Sequence, residues 1–535
     1  MSVAKALCRK SVKRFVRDEE GHIVVFTVIM MTLMLMLAGV GVDIIHFETV
    51  RTKQQQTLDR ATLAAASLTQ ELDAESVVRD YFAKADMTEN LKLVQFQRSF
   101  NASTVRAEAA VEMTPTFMNL YDLSNSTKLT ARGASQAEQR INNIEIMLVL
   151  DVSGSMAGTK LTNLKSAASE FIDTVLDQDI ENRVSIGIVP YNGQVNLPES
   201  MQQLFTRVDD HNVTNVNCFD LPASTYSSLS LSLTTGMPVT AHADTYSTQS
   251  STSYVAPTDT AALPNPANRW CPNIDTNFVR AATNNRVALK NHINGLTAMG
   301  ATSINAGMKW GMALLDPAAR PIYTSMVAQG LTPSYFNNRP FPYNDRDSMK
   351  IVVLMTDGEH FAEERVNEGF RAGPAPIWRN PSDGRYSVFQ DRANTTLDYY
   401  YPHAASWNST PYGGTNAVRQ TWPQIWANLR LSYVARQFYA RPNGNTTTAY
   451  TNAMNMLRTQ TPITTMDSQL QQACGVAKTR QVMIYGIAFE APTNGRTQIE
   501  RCASSPAHYF NAQGLEIRTA FRAIATNISQ LKLTQ

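Results

Sequence analysis

Residues 144–150 (Ile-Glu-Ile-Met-Leu-Val-Leu) run straight into Asp151-Val152-Ser153-Gly154-Ser155, and residues 351–355 (Ile-Val-Val-Leu-Met) run into Thr356-Asp357-Gly358. Each run is short, almost wholly apolar and stopped at once by Asp, Ser or Gly, as expected of a strand buried on both faces. Such strands belong to parallel sheets covered by helices, so the chain beyond residue 140 should alternate strand and helix. It does. Leu161, Leu164, Ala168, Phe171, Ile172, Val175 and Leu176 recur at helical spacing behind the first run. Residues 184–189 and 482–489 read as further strands and residues 304–315 as a helix, while Ile517, Phe521, Ile524, Ile528 and Leu531 mark a closing helix. The pattern predicts an α/β domain over 141–535 with a doubly wound, mainly parallel, Rossmann-like sheet.

Open α/β sheets bind ligands beyond the carboxyl ends of their strands. There the sequence places Asp151, Ser153 and Ser155 after one run and Asp357 after the other, with Gly300-Ala301-Thr302 ahead of the 304–315 helix. Two carboxylates and three hydroxyls make a hard, all-oxygen set suited to a small divalent cation, Mg2+ first, with Mn2+ or Ca2+ as alternatives. Asp151 and Asp357 would repel each other if buried together without one. The plainer reading is helix capping, with Ser155 serving a helix that starts near Gly158. A buried strand, a Gly-x-Thr before a helix and a Thr-Asp-Gly after a second strand together favour the metal.

Gly154-Ser155-Met156-Ala157-Gly158-Thr159-Lys160 fails as a phosphate loop, which needs a longer spacing and a hydroxyl after the lysine. No nucleotide is expected. Neither a zinc-protease H-E-x-x-H nor a G-x-S-x-G elbow occurs. His360 lies near the site without an evident partner, so it reads as a loop residue. The chain is expected not to be an enzyme, a metal-dependent hydrolase using Glu359 or His360 being the minor alternative.

Residues 23–42 carry no charge over twenty positions, enough to span a bilayer as a helix. Lys5, Arg9, Lys10, Lys13, Arg14 and Arg17 precede it, whereas only Arg51 and Lys53 follow closely. The positive-inside rule then leaves residues 1–21 in the cytoplasm, 22–45 in the membrane and the bulk of the chain on its far side. A cleaved signal peptide is the alternative, but its apolar core is shorter. Of five cysteines, Cys8 falls inside, leaving Cys218, Cys271, Cys474 and Cys502 outside. The pairings 218–271 and 474–502 are the simplest of three connectivities, against free buried thiols. A net charge of +2 shows no footprint for nucleic acid.

Residues 46–140 read as a stalk helix, with Leu58, Ala61, Ala65 and Leu68 at helical spacing, leading into a small α+β module. Its clearest strand alternates Val105, Ala107, Ala109, Val111 and Met113 with Arg106, Glu108 and Glu112. Two insertions interrupt the 141–535 domain, at about 191–285 and 363–461. The first contains a Ser/Thr-rich stretch, 224–260, read as partly disordered. The second holds Trp378, Trp407, Trp422 and Trp426 with Tyr399-Tyr400-Tyr401, so it should fold and carry partner choice.

Asp151-Val152-Ser153-Gly154-Ser155 with Thr302 and Asp357 resembles the metal-ion-dependent adhesion site of von Willebrand factor A domains. The resemblance implies direct cation binding by Ser153, Ser155 and Thr302, with Asp151 and Asp357 acting chiefly through water, and a partner carboxylate completing the shell. The basic tip with Glu19-Glu20-Gly21, the apolar run, Val42-Asp43 and Asp59-Arg60-Ala61-Thr62-Leu63-Ala64-Ala65-Ala66 are similar to the start of TadE/TadG-like proteins of Flp (tight adherence) pilus assembly. The larger members carry a von Willebrand A domain after that start. Together these imply a single-pass protein of pilus assembly or adherence that binds a protein partner through its cation, the alternative being a structural component whose site is idle. In pseudopilin members a Glu follows the cleavage glycine by five residues. Phe26 stands there in this chain, which favours anchoring over pilin-like processing.

Overall fold

The computed structural model describes residues 20–67, 70, 72–98, 102–121, 128–140, 143–177, 179, 182–208, 211–214, 216–272, 274–345 and 347–529. The basic tip with Cys8 and Glu19, and also Leu68 and Leu531, lie outside the described residues. Two units form, residues 1–140 and 141–535.

The first unit is organised by helix α1 (Glu20–Ala65). Its apolar half leaves its side chains uncovered, Ile23 being 72% and Leu37 70% exposed. Among the described residues it is the one helix long and apolar enough to cross a membrane. Beyond Asp43 the helix becomes amphipathic and buries Leu58, Ala61 and Ala65 with Val78 and Phe82 of α2 (Ala74–Lys84). Strands β1 (Leu91–Arg98), β2 (Ala102–Met113) and β3 (Leu129–Arg140) form an antiparallel sheet in that order. Val105, Ala107 and Ala109 of β2 join this core, while Arg106 and Glu112 lie on the exposed face. Asp43 fastens the segment before β3: its carboxylate accepts the backbone N–H of Thr116, Phe117 and Met118 at 3.0, 2.8 and 2.7 Å. The Phe117 ring fills the place of a side chain at Gly39, 2.8 Å from where a β-carbon would stand, so only glycine fits there.

The second unit is built on a six-stranded mixed sheet. In chain order its elements are β4 (Asn143–Asp151), α3 (Thr159–Asp177), β5 (Val184–Tyr191), β6 (Arg280–Thr283), α4 (Arg286–Gly295), α5 (Ile304–Leu315), β7 (Ser348–Thr356), α6 (Ile463–Thr479), β8 (Met483–Phe489), α7 (Thr493–Cys502), β9 (Tyr509–Ala512) and α8 (Glu516–Ser529). The spatial order is β9-β8-β7-β4-β5-β6. All neighbours are parallel except the edge pair β5–β6. Strands β4, β5 and β7 are buried throughout, apart from the first residues of β4 and β7, which is why their sequences read as unbroken apolar runs. Helix α3 packs with α4 and α8, Phe171 meeting Phe521 edge to face at 5.8 Å, while α5 packs with α6. All twelve residues of α5 are buried, and its apolar side chains share one cluster with Met147 and Val149 of β4. Chain order reverses between β4 and β7, so the connections leaving their carboxyl ends diverge to opposite faces and open a crevice there.

The insertions differ from expectation in one respect each. The Ser/Thr-rich stretch of the first is packed: Tyr226, Leu229, Leu231 and Val239 are buried in the main core. Its anchor is Lys309 of α5, whose ammonium donates to the carbonyls of Ser228, Leu229 and Ser230 at 2.6, 2.9 and 2.9 Å. The second insertion folds as an antiparallel sheet of five strands, residues 374–379, 386–389, 399–401, 406–408 and 418–421. Trp422 and Trp426, expected at a recognition surface, are 3% and 1% exposed and stack at 5.2 Å inside its own core. Trp378 and Trp407 stay half-buried under Arg419 and Arg392. Disulfides join Cys218 to Cys271 and Cys474 to Cys502, the pairings expected from spacing.

Candidate metal centre

The last residue of β4 is Asp151, and the loop after it is stitched to the loop before α5. Gly154 N–H donates to Gly300 O and Met299 N–H to Val152 O, both at 2.9 Å. Gly300 allows this approach with φ +88°, where a β-carbon would press on Pro272 at 3.2 Å. Ser153 N–H donates to Asp151 Oδ1 at 2.8 Å, fixing the turn. Ser153 Oγ and Ser155 Oγ lie 3.0 Å apart, and Ser155 Oγ donates to Asp357 Oδ1 at 2.6 Å. Thr302 Oγ1 and Ser155 Oγ face the same side of Gly358, 3.6 and 4.0 Å from the position of its missing β-carbon. All five residues expected at the site thus meet at the crevice between β4 and β7. Asp151, Ser153, Thr302 and Asp357 are buried, whereas Ser155 opens to solvent.

The electrostatics of the two carboxylates are unequal. Asp151 is fully buried, and burial followed by the charge of Asp357 pushes its carboxyl up to about 7. Only dipoles oppose its charge: the Ser153 hydroxyl and N–H, and Thr356 Oγ1, which donates to Oδ2 at 2.7 Å. Asp357 has a cation of its own, Lys160 Nζ at 2.9 Å, with Glu490 at 3.8 Å on the other side of the same ammonium. A buried carboxylate opposed only by dipoles, beside hydroxyls that present lone pairs, fits a hard divalent ion. Among the described residues no three His, Cys, Asp or Glu side chains gather as a metal site. A cation here would depend on two carboxylates and neutral hydroxyls.

Three participants were not anticipated. Lys160 is the second residue of α3, just after the Ser loop, and Thr356 adjoins Asp357, so both were visible but unassigned. His360 was read as a loop residue without a partner, and that reading is corrected. It is buried, its Nδ1 meets Asp467 Oδ1 at 2.7 Å and its Nε2 accepts Asn305 N–H at 3.0 Å. The ring joins the loop after β7 to α5 and α6, and burial holds its pKa below the usual range. Asp467 is 107 positions away, so sequence spacing offered no sign of it.

Residues 21–68 match the family model described as Flp pilus-assembly TadE/G-like, which makes the N-terminal segment TadE/G-like. No curated protein sequence matches the chain. Among solved structures, similarity extends to the vWF domain of the type V pili tip protein Mfa5 from Porphyromonas gingivalis, at 13% identity over 73% of this chain and 96% of that one, with a TM-score of 0.30. The PilB minor pilin from Streptococcus sanguinis gives 12% identity, 82% and 78% coverage and a TM-score of 0.29. The pilus adhesin SpaC from Lactobacillus rhamnosus GG gives 10% identity, with 82% of this chain but 34% of that protein covered and a TM-score of 0.28. Likeness at this level carries no weight for function.

Proposed function

We propose that this chain is a membrane-anchored protein of Flp pilus assembly or adherence whose second unit, a doubly wound von Willebrand A-type domain, binds a protein partner through a divalent cation, magnesium first. One observation carries the reading. Asp151 ends one strand and Asp357 follows its parallel neighbour where the strand order reverses, three hydroxyls stand with them, and the rim at Ser155 faces outward. Neutral hydroxyls leave the ion short of charge, so a partner carboxylate is the natural further ligand. The uncovered apolar half of α1 supports a bacterial inner-membrane anchor, and six basic residues between Lys5 and Arg17 support a cytoplasmic N-terminus. Two disulfides suit a compartment outside the cytoplasm.

A second reading has its own support. The Lys160 ammonium already sits on Asp357, which favours a structural pilus component whose metal site is idle. A hydrolase is disfavoured, since both ring nitrogens of His360 are engaged and the ring is buried. Capture of partners by the full chain from detergent-solubilised membranes, with Mg2+ or with chelator, separates the readings. Metal dependence that disappears in a folded Asp151→Ala variant is expected. Equal capture under all conditions would leave the cation without a role.

A further inference from the structure

Beside the metal loop the first insertion shapes a cavity of about 120 Å³, lined by Tyr246, Asn268, Arg269, Trp270, Ala301 and Phe361. Its walls are aromatic: Tyr246 meets Phe361 edge to face at 4.7 Å, and Trp270 lies 6.3 Å from Phe361. Tyr246 is 48% exposed and Trp270 only 3%, so the cavity has an open lip and a closed base. Its geometry is tied to the candidate site. Ala301 precedes Thr302, whose Cα lies about 3.8 Å away across one peptide, and Phe361 N–H donates to Thr302 O at 2.9 Å.

Two donors here are unmet. Trp270 Nε1–H and Arg269 Nε–H are buried with no acceptor, although the Arg269 guanidinium also meets His242 Nε2. Buried donors are ordinarily paired, so both N–H groups are suited to an acceptor from a ligand. The volume narrows what can enter. An apolar cavity of about 150 Å³ holds benzene, so this smaller one suits a branched aliphatic side chain. The half-buried Arg269 guanidinium in the cavity wall adds positive charge next to a site that would hold a cation, which selects an acidic segment.

We infer that this cavity is the specificity pocket for the partner: it takes a branched aliphatic side chain within two residues of the carboxylate that reaches the cation, while the Arg269 guanidinium meets acceptor groups of the same segment. This rests on the metal reading above. An extended chain advances about 3.3–3.6 Å per residue, so the next one or two residues can reach from the metal to the pocket. Partner choice then lies in the first insertion rather than in the tryptophans of the second.

The test uses the full chain in detergent micelles with Mg2+ and four blocked tripeptides, Asp-Leu-Leu, Asp-Ala-Ala, Leu-Leu-Asp and Ala-Ala-Asp, titrated by calorimetry. In one orientation the leucine peptide should bind at least about tenfold tighter than its alanine counterpart, the discrimination expected of a fitted apolar pocket. Ala267→Trp, which fills the mouth from a partly exposed turn, should erase that preference and leave Mg2+ affinity unchanged. Tyr246→Ala, which widens the lip, should narrow the leucine preference. Equal affinities for leucine and alanine peptides, or a preference untouched by both variants, overturn the pocket while the metal reading stands. Absence of Mg2+ uptake by the unaltered chain overturns the metal reading, and the pocket as its subsite falls with it.

Discussion

Asp151→Asn should do two opposite things. In the folded chain the Asp151 carboxyl is raised from 3.8 to about 7, first by burial and then by Asp357. The folded state therefore holds a proton that the unfolded chain has released, and metal-free stability falls as pH rises from about 4 to about 7. At about 1.36 kcal/mol per unit, three units amount to about 4 kcal/mol, fully imposed above pH 7. An asparagine removes that charge. Its single carbonyl cannot stand in for both carboxylate oxygens towards Ser153 and Thr356, and orphaning a donor costs about 1–3 kcal/mol. The variant should then be about 2 kcal/mol more stable than the parent at pH 8 in chelator, with no such advantage at pH 5. Mg2+ should stabilise the parent and leave the variant unmoved. Urea unfolding followed by tryptophan fluorescence reads this directly, since all six tryptophans lie in the second unit. A variant less stable than the parent at pH 8 in chelator would refute the reasoning and make Asp151 a loop cap.

Lys160→Met removes from beside Asp357 a positive charge that would repel Mg2+, so Mg2+ affinity by calorimetry should rise at least about tenfold; unchanged or weaker binding contradicts that role. Lys309→Met strips three carbonyls of their donor and should destabilise the first insertion by about 1–3 kcal/mol, seen as faster amide exchange over 224–260. Burial pushes Lys309 down from 10.5 to about 7, so the unfolded chain binds the extra proton between those values. Stability should therefore rise with pH across that window in the parent and not in Lys309→Met. Opening Cys474–Cys502, which spans 28 positions between α6 and α7, should cost about 3–4 kcal/mol in urea unfolding, and an unmoved midpoint would refute it.

The elements legible in the sequence were those whose burial is complete. β4, β5, β7 and α5 are enclosed along nearly their whole length, so their apolar runs had no other explanation. Edge strands β6 and β9 were missed, because four residues such as Arg-Ala-Ala-Thr become a strand only through the neighbour they pair with. The candidate ligands were legible because each stands at a strand end or ahead of a helix, where chain order alone implies position. The His360–Asp467 contact and the Lys309 anchor join distant segments and leave no local mark. For the same reason the stretch 224–260 read as partly disordered: nothing in its low-complexity composition shows that Lys309, from α5, holds its carbonyls. Trp422 and Trp426 read as recognition residues since composition cannot distinguish an aromatic core from an aromatic surface.

Titration of the full chain in detergent micelles with Mg2+, after removal of metal by chelator, tests the central claim most directly. One saturable binding event per chain is required, absent from Asp151→Ala when its far-UV circular dichroism matches the parent. No saturable heat in the parent, or the same uptake in the variant, would contradict a cation held between β4 and β7.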